Sequence, residues 1–404
     1  MAKHDHPTVA GVDLLAGSFW GRNPHDAFTE MRASAPVYWD QTSQVWAITK
    51  YGDLREISRD PQRFSSATTG IRPHGMWLPM MIDMDDPAHW GRRKLVNRGF
   101  TPKQVRAQEP KVREVVTSLL DSVCEQGECD LVTDLAAWLP LIMIGDALGF
   151  DPADRPTLLQ WSDDLLRGLD SEDAGEKMAR AAEAMAGYAT YTAGVVADRR
   201  GCPRDDLMSI LVDAEVDGDR LDDDALLHES LLILIGGDET SRHVISGGAY
   251  QLLRHPDQRQ ALIDDPSLIP TAVEEMLRWV SPIKNMNRTA TVDVELRGQT
   301  IEAGDQVMLV YPSANRDEEV FDDPFRFDIR RDPNDHVAFG FGPHFCLGNS
   351  LARLEMVVFF EEWLRRMPDT TLVDGTEPAY RPANFVSGYE TMPVQFTPSA
   401  SVGV

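Results

Sequence analysis

Phe339-Gly340-Phe341-Gly342-Pro343-His344-Phe345-Cys346-Leu347-Gly348 is the most informative stretch of the chain. Three glycines and a proline within ten residues make a rigid loop with an unusual backbone path. Asn349 to Arg366 then reads as a helix, with Leu351, Leu354, Val358 and Trp363 among its apolar positions. Cys346 therefore precedes a helix N-terminus, where unpaired backbone N–H groups and the helix dipole favour an anionic thiolate. No second cysteine is near in sequence, which suits a single axial metal ligand. A buried inert thiol and a catalytic nucleophile are the alternatives. A nucleophile needs a base within reach, and His344 is the one close in sequence.

The rest of the chain bounds the reading. It has 404 residues, 42% hydrophobic and 26% charged, enough for a large core. Thirty-nine basic residues against 65 acidic ones leave a net charge of −26, a surface that repels nucleic acid and anionic membranes. Four cysteines without a C-x-x-C pair make neither a disulfide framework nor a structural zinc site. No apolar run exceeds five residues and the N-terminus has no apolar leader, so a cytoplasmic protein without a membrane span is expected. No repeat, low-complexity block or linker divides the chain. One domain over residues 1–404 is expected, with 397–404 a frayed tail.

Most of the sequence has helical period. Val112, Val115, Val116, Leu119, Leu120 and Val123 recur at spacings of three and four, and Thr157 to Leu169, Glu176 to Arg199 and Leu226 to Leu253 read similarly. Strand signals are short: Val37 to Trp39 with Val45 to Ile48, then Val292 to Leu296, Gln299 to Ile301 and Gln306 to Tyr311. The fold class predicted is mainly α with a small β-sheet. Inside the most apolar helix stands Gly236-Gly237-Asp238-Glu239-Thr240. Two mid-helix glycines cost about 1 kcal/mol each relative to alanine. A close approach against the Gly236 and Thr240 face explains them, and so does tight helix packing. From His89 to Glu114 lie eight basic residues (Arg92, Arg93, Lys94, Arg98, Lys103, Arg106, Lys111, Arg113) and two acids. That island reads either as a solvated helix face or as a docking patch for an acidic partner.

Phe339-x-x-Gly342-x-x-x-Cys346-x-Gly348, with Ala352 following, resembles the haem-binding signature of the cytochromes P-450. The resemblance implies haem b with Cys346 as the axial thiolate ligand of iron. It further implies Gly236 against the macrocycle and Glu239 with Thr240 as a proton relay to bound O2. His89, Arg93, Arg288 and His344 match positions that hold the haem propionates, and Phe339 and Gly348 belong to the cofactor loop. Glu275 and Arg278 resemble the structural Glu-x-x-Arg pair, with Arg326 matching its third partner. The family's fold is a single mostly helical domain with a small sheet. Its soluble members take electrons from a ferredoxin and ferredoxin reductase.

The segments that form the family's pocket are largely apolar here. The resemblance extends to bacterial P-450s that oxidise the sterol side chain at the terminal methyl, with cholesterol or cholest-4-en-3-one as substrate, and that can continue to the carboxylic acid. The pocket residues expected are Ile71, Met76, Trp77, Met81, Ile235, Val280, Asn285 and Val386. The alternatives are the same chemistry on a terpenoid or macrolide, and a haem protein that senses a gas without turnover.

Overall fold

The helix Asp223–Arg254 runs through the body of the protein and sets the positions of everything around it. Asp222 caps it, its side chain accepting from the Ala225 N–H at 2.8 Å, and Asp223 and Asp224 place negative charge at the positive end of its dipole. The computed structural model describes residues 6–21, 23–169, 174–216 and 218–403. Within them the protein is mainly helical, with short strands between the helices.

Close packing around this central helix depends on its glycines. A Cβ on Gly237 would meet Ile144 of the helix Trp138–Leu148 at 2.6 Å, and one on Gly248 would meet Met276 of the helix Ile269–Val280 at 2.6 Å. Gly236 is different: nothing lies within 4 Å of its would-be Cβ. The two adjacent glycines thus serve both purposes expected of them, Gly237 for packing and Gly236 for open space. The helices Glu109–Val123 and Asn349–Arg366 complete the main core, which includes Leu120, Val244, Ile245, Met276, Phe359, Phe360 and Trp363. Full burial of such a side chain contributes about 1.5–3 kcal/mol.

Five strands form the main sheet, in the order Val37–Asp40, Val45–Ile48, Gln306–Val310, Asn285–Ala290, Phe64–Ser65, and the other strands among the described residues pair in one three-stranded and two two-stranded sheets. All pairs in the main sheet are antiparallel except Val45–Ile48 with Gln306–Val310. The predicted strands at Val292 and Tyr311 are shorter than expected. Pairing begins at Val294, and Tyr311 opens a short helix, Tyr311–Ala314, with Pro312 in its first turn.

Glu275 and Arg278 form a fully buried pair, with Arg278 Nε and Nη2 at 2.7 and 2.8 Å from the two carboxylate oxygens. Arg278 Nη1 also donates to the carbonyls of Asn315 and Pro324, which clamps the segment leading to the cysteine loop. The expected third partner, Arg326, is corrected to Arg331. Arg331 Nε donates to Glu275 Oε2 at 3.1 Å. The Arg326 side chain is instead 68% exposed and lies 3.7 Å from Asp328, and only its carbonyl reaches Arg278 and Arg331.

Two further expectations change. The tail is held rather than frayed: the Ser399 N–H donates to the Cys124 carbonyl at 2.9 Å, and the Val402 and Gly403 N–H groups donate to Asp121 at 3.1 and 3.0 Å. Leu131–Leu148 is long and apolar enough to cross a membrane by composition, a feature that counting unbroken apolar runs misses because Thr133, Asp134, Pro140, Gly145 and Asp146 interrupt it. Two-thirds of that stretch is buried inside the protein.

Candidate active site

The cysteine loop folds as its glycines demand. Gly340 and Gly342 have φ of +72° and +73°, and a Cβ on Gly342 would strike the Ser58 carbonyl at 2.3 Å. The Cys346 N–H donates to the Phe339 carbonyl at 2.9 Å and closes the loop, and Asn349 Nδ2 donates to the Cys346 carbonyl at 2.7 Å. Arg353 lies over the Phe339 ring at 4.5 Å and is anchored by Glu274 at 2.6 Å. Cys346 thereby faces a large cavity, about 1480 Å³ of unfilled space including its mouth. Burial raises the thiol's pKa, opposed by the N–H groups of Gly348 and Asn349 and by Arg93 and Arg353.

Four cation-capable side chains converge on the same cavity: His89, Arg93, Arg288 and His344. His89 and His344 lie ring to ring, centroids 4.2 Å apart. Arg93 donates to the Phe345 carbonyl, and Arg288 donates to the Asn287 carbonyl at 2.7 Å. Burial lowers the pKa of Arg288. Burial and the charges of Arg288, His89 and Arg93 push His344 down to about 2. Neither arginine has an ion-pair partner among the described residues. A buried guanidinium without a counter-charge is costly, so this corner is built for an anion.

The opposite wall is the central helix. Ile233, Gly236, Gly237, Thr240 and Val244 line the cavity, one helical face at spacings of three and four. Thr240 Oγ1 donates to the Gly236 carbonyl at 2.9 Å.

A family model described as Cytochrome P450 matches residues 263–368. The steroid C26-monooxygenase of Mycobacterium tuberculosis is 53% identical over 394 residues, covering 97% of this chain and 98% of that protein. The chain belongs to the cytochrome P450 family. A methyl-branched lipid omega-hydroxylase of Mycobacterium bovis is 38% identical, covering 96% of this chain and 95% of its own. A crystallised Mycobacterium marinum cytochrome P450 in complex with pseudoionone superposes with a TM-score of 0.90 at 35% identity, covering 97% and 100% of the two chains.

Cytochromes P450 are haem-thiolate enzymes, and the cavity fits that cofactor. It has one thiol, a corner of unpaired arginines for two propionates, and Gly236 and Gly348, beside whose would-be Cβ no other part of the described residues comes within 4 Å.

Of the residues expected to meet substrate in this cytochrome P450, Ile71 and Met81 line the cavity and six do not. Met76 is 78% exposed, and Trp77 is turned so that its Nε1 donates to the Asp83 carbonyl at 2.7 Å. Ile235 lies off the cavity face of the central helix. Val280 packs against Gly247, and Asn285 donates to the Asn384 carbonyl. Val386 is buried and bridges to Ile283. The wall is made instead by neighbours: Ile82, Ile144, Leu232, Ile233, Ile283 and Met286. Strand alternation is the signal that separates them, because Met286 and Arg288 share a face that excludes Asn285. Asp83 has no place in the sequence reading. It is buried, accepts from the N–H groups of Ile71 and Leu78 at 2.9 and 3.0 Å, and so shapes the 71–82 segment.

Glu239 does not line the cavity. It is fully buried, with Oε2 at 2.6 Å from Arg242 and 3.4 Å from Arg381. Both arginines also reach Asp163, whose side chain is 25% exposed. Burial would raise the Glu239 pKa, but Arg242, His243 and Arg381 outweigh it and hold the carboxylate ionised.

The basic island is partly consumed within the protein. Arg92 pairs with Glu229 at 3.2 Å, Arg93 faces the cavity, Lys111 pairs with Glu114, and Arg113 pairs with Glu109, Glu361 and Glu362. Lys94, Lys103 and Arg106 are exposed. The Arg98 side chain lies outside the described residues.

Proposed function

We propose that this cytochrome P450 inserts one oxygen atom from O2 into the terminal methyl of a sterol side chain, with cholest-4-en-3-one or cholesterol as substrate and electrons from a ferredoxin and its reductase. The observation that carries the reading is the full-length 53% identity to a protein named steroid C26-monooxygenase. The apolar wall agrees with it, since a fused ring system bearing one oxygen needs apolar surface rather than fixed polar anchors.

The residues divide the work as follows. Cys346 would hold the haem iron as thiolate, and His89, Arg93, Arg288 and His344 would hold the propionates through charge-assisted hydrogen bonds. When bound, the haem supplies O2 activation and oxygen insertion into a C–H bond. Thr240 positions a hydroxyl on the cavity side and passes a proton inward. Glu239, ionised at rest and linked through Arg242 and Arg381 to the partly exposed Asp163, accepts a proton from the solvent side and hands it on toward Thr240. Ile233, Ile283 and Met286 hold the side chain so that a methyl, not the weaker tertiary C–H bond, lies nearest the reacting centre. Lys94, Lys103 and Arg106 receive the acidic ferredoxin.

Titration of the purified holoprotein with cholest-4-en-3-one, followed by product analysis with a reconstituted reductase, tests the reading. A second reading is oxidation of a methyl-branched alkyl chain, favoured by the 38% identity to an omega-hydroxylase and by a wall with no side chain dedicated to a ring system. A branched fatty acid assayed beside the sterol distinguishes the two.

A further inference from the structure

A second cleft shares no lining residue with the haem cavity: Val280 and Lys284 line the cleft, whereas Pro282, Ile283 and Met286 line the haem cavity. It offers about 880 Å³ of unfilled space including its mouth, and its walls include Trp20, Trp279, Tyr380 and Tyr389. Two cations face it, Lys284 and Arg316, and no aspartate or glutamate among the described residues lines it.

Arg316 is 3% exposed. Its Nη2 donates to the Trp279 carbonyl at 2.9 Å and its guanidinium lies 4.7 Å from the Trp279 ring centroid. Its Nε and Nη1 are buried and have no acceptor among the described residues. Lys284 is 5% exposed and donates to the carbonyls of Val280 and Ser281 at 3.1 and 3.0 Å, neither of which carries a full charge. The neighbours register this excess of positive charge. Burial and Arg278 hold the Arg316 pKa down at about 9, against the opposing pull of Glu275. Burial, Arg316 and Lys284 lower the pKa of His25, which also lines the cleft. Burial would raise the Tyr380 phenol, but Lys284 and Arg316 help to hold it below its ordinary value.

Neither cation has a carboxylate within ion-pair distance among the described residues, and Glu275 only partly offsets the charge on Arg316, so the pair is costly in a low-dielectric site of a chain whose net charge is −26. A guanidinium with two unpartnered nitrogen donors matches an oxyanion, and aromatic walls suit a flat organic body attached to it. We infer that this cleft is a second ligand site, separate from the haem cavity, for a small oxyanion, a carboxylate or a phosphate.

The test uses the purified holoprotein and follows its melting temperature during titration with benzoate, inorganic phosphate, or chloride at matched ionic strength. A saturable rise with benzoate or phosphate, absent with chloride, is expected, and the stronger of the two identifies the source. Two variants locate it. Arg316→Gln should raise the half-saturation concentration at least tenfold. Gln251→Glu brings a carboxylate to the cleft wall and should remove the response while raising the melting temperature without ligand. An unchanged haem spectrum shows that each variant is folded, and Gln251→Glu carries the test if Arg316→Gln does not fold. No saturable rise with either anion, or the wild-type response in a folded variant, overturns the inference.

Discussion

Glu239 and Thr240 are adjacent in sequence and face different interiors. Thr240 lines the haem cavity with its hydroxyl on the Gly236 carbonyl at 2.9 Å, whereas Glu239 is sealed in an ion cluster 2.6 Å from Arg242. A proton passing from one to the other must cross between two environments. Thr240→Ala should therefore leave haem and substrate binding nearly intact but divert reducing equivalents to peroxide. Product formed per NADH is the measurement, and a several-fold fall is expected; unchanged coupling would remove Thr240 from proton delivery.

The buried Glu275 carboxylate makes a second sharp comparison. Arg331→Met removes one charged donor while the bidentate Arg278 pair remains, and should destabilise the fold by about 1–3 kcal/mol. Arg326→Met removes an exposed side chain and should stay within about 0.5 kcal/mol. Denaturant unfolding of the two variants decides between the arginines.

How the sequence can name Arg326 and miss Arg331 shows where it is legible. The cysteine loop and the helix Asn349–Arg366 are readable because glycine conformation and helical period are local properties. So is the cationic corner, since its four residue types announce an anion site once a resemblance aligns them. Substrate residues are set by which face of an element turns inward. Being one or two positions out moves a side chain to another face, as with Asn285 against Met286 and Ile235 against Ile233. The tail's hydrogen bonds to Asp121 join residues nearly three hundred positions apart, and no local pattern encodes them.

That distinction predicts product patterns. Met286→Ala enlarges the cavity wall and should raise the share of non-terminal oxidation several-fold, more than it weakens sterol binding. Met76→Ala alters a side chain that is 78% exposed and should leave the distribution unchanged. Chromatographic product analysis of both variants checks this, and equal distributions would show that Met286 does not set the site of attack.

Charge reversal at Lys103 and Arg106 together should slow reduction by an acidic ferredoxin about tenfold at low salt and flatten the salt dependence. Arg92 is left out because reversing it would break its pair with Glu229. Stopped-flow reduction rates equal to wild type at low salt would return the island to a solvated helix face.

The most direct test of the account is product analysis of the purified enzyme with cholest-4-en-3-one, O2, NADH and a reconstituted ferredoxin system. A substrate-induced change of haem spin state and a product hydroxylated at the terminal methyl of the side chain are expected. Absence of both, with an unrelated large lipid giving spin-state change and turnover under the same conditions, would contradict it.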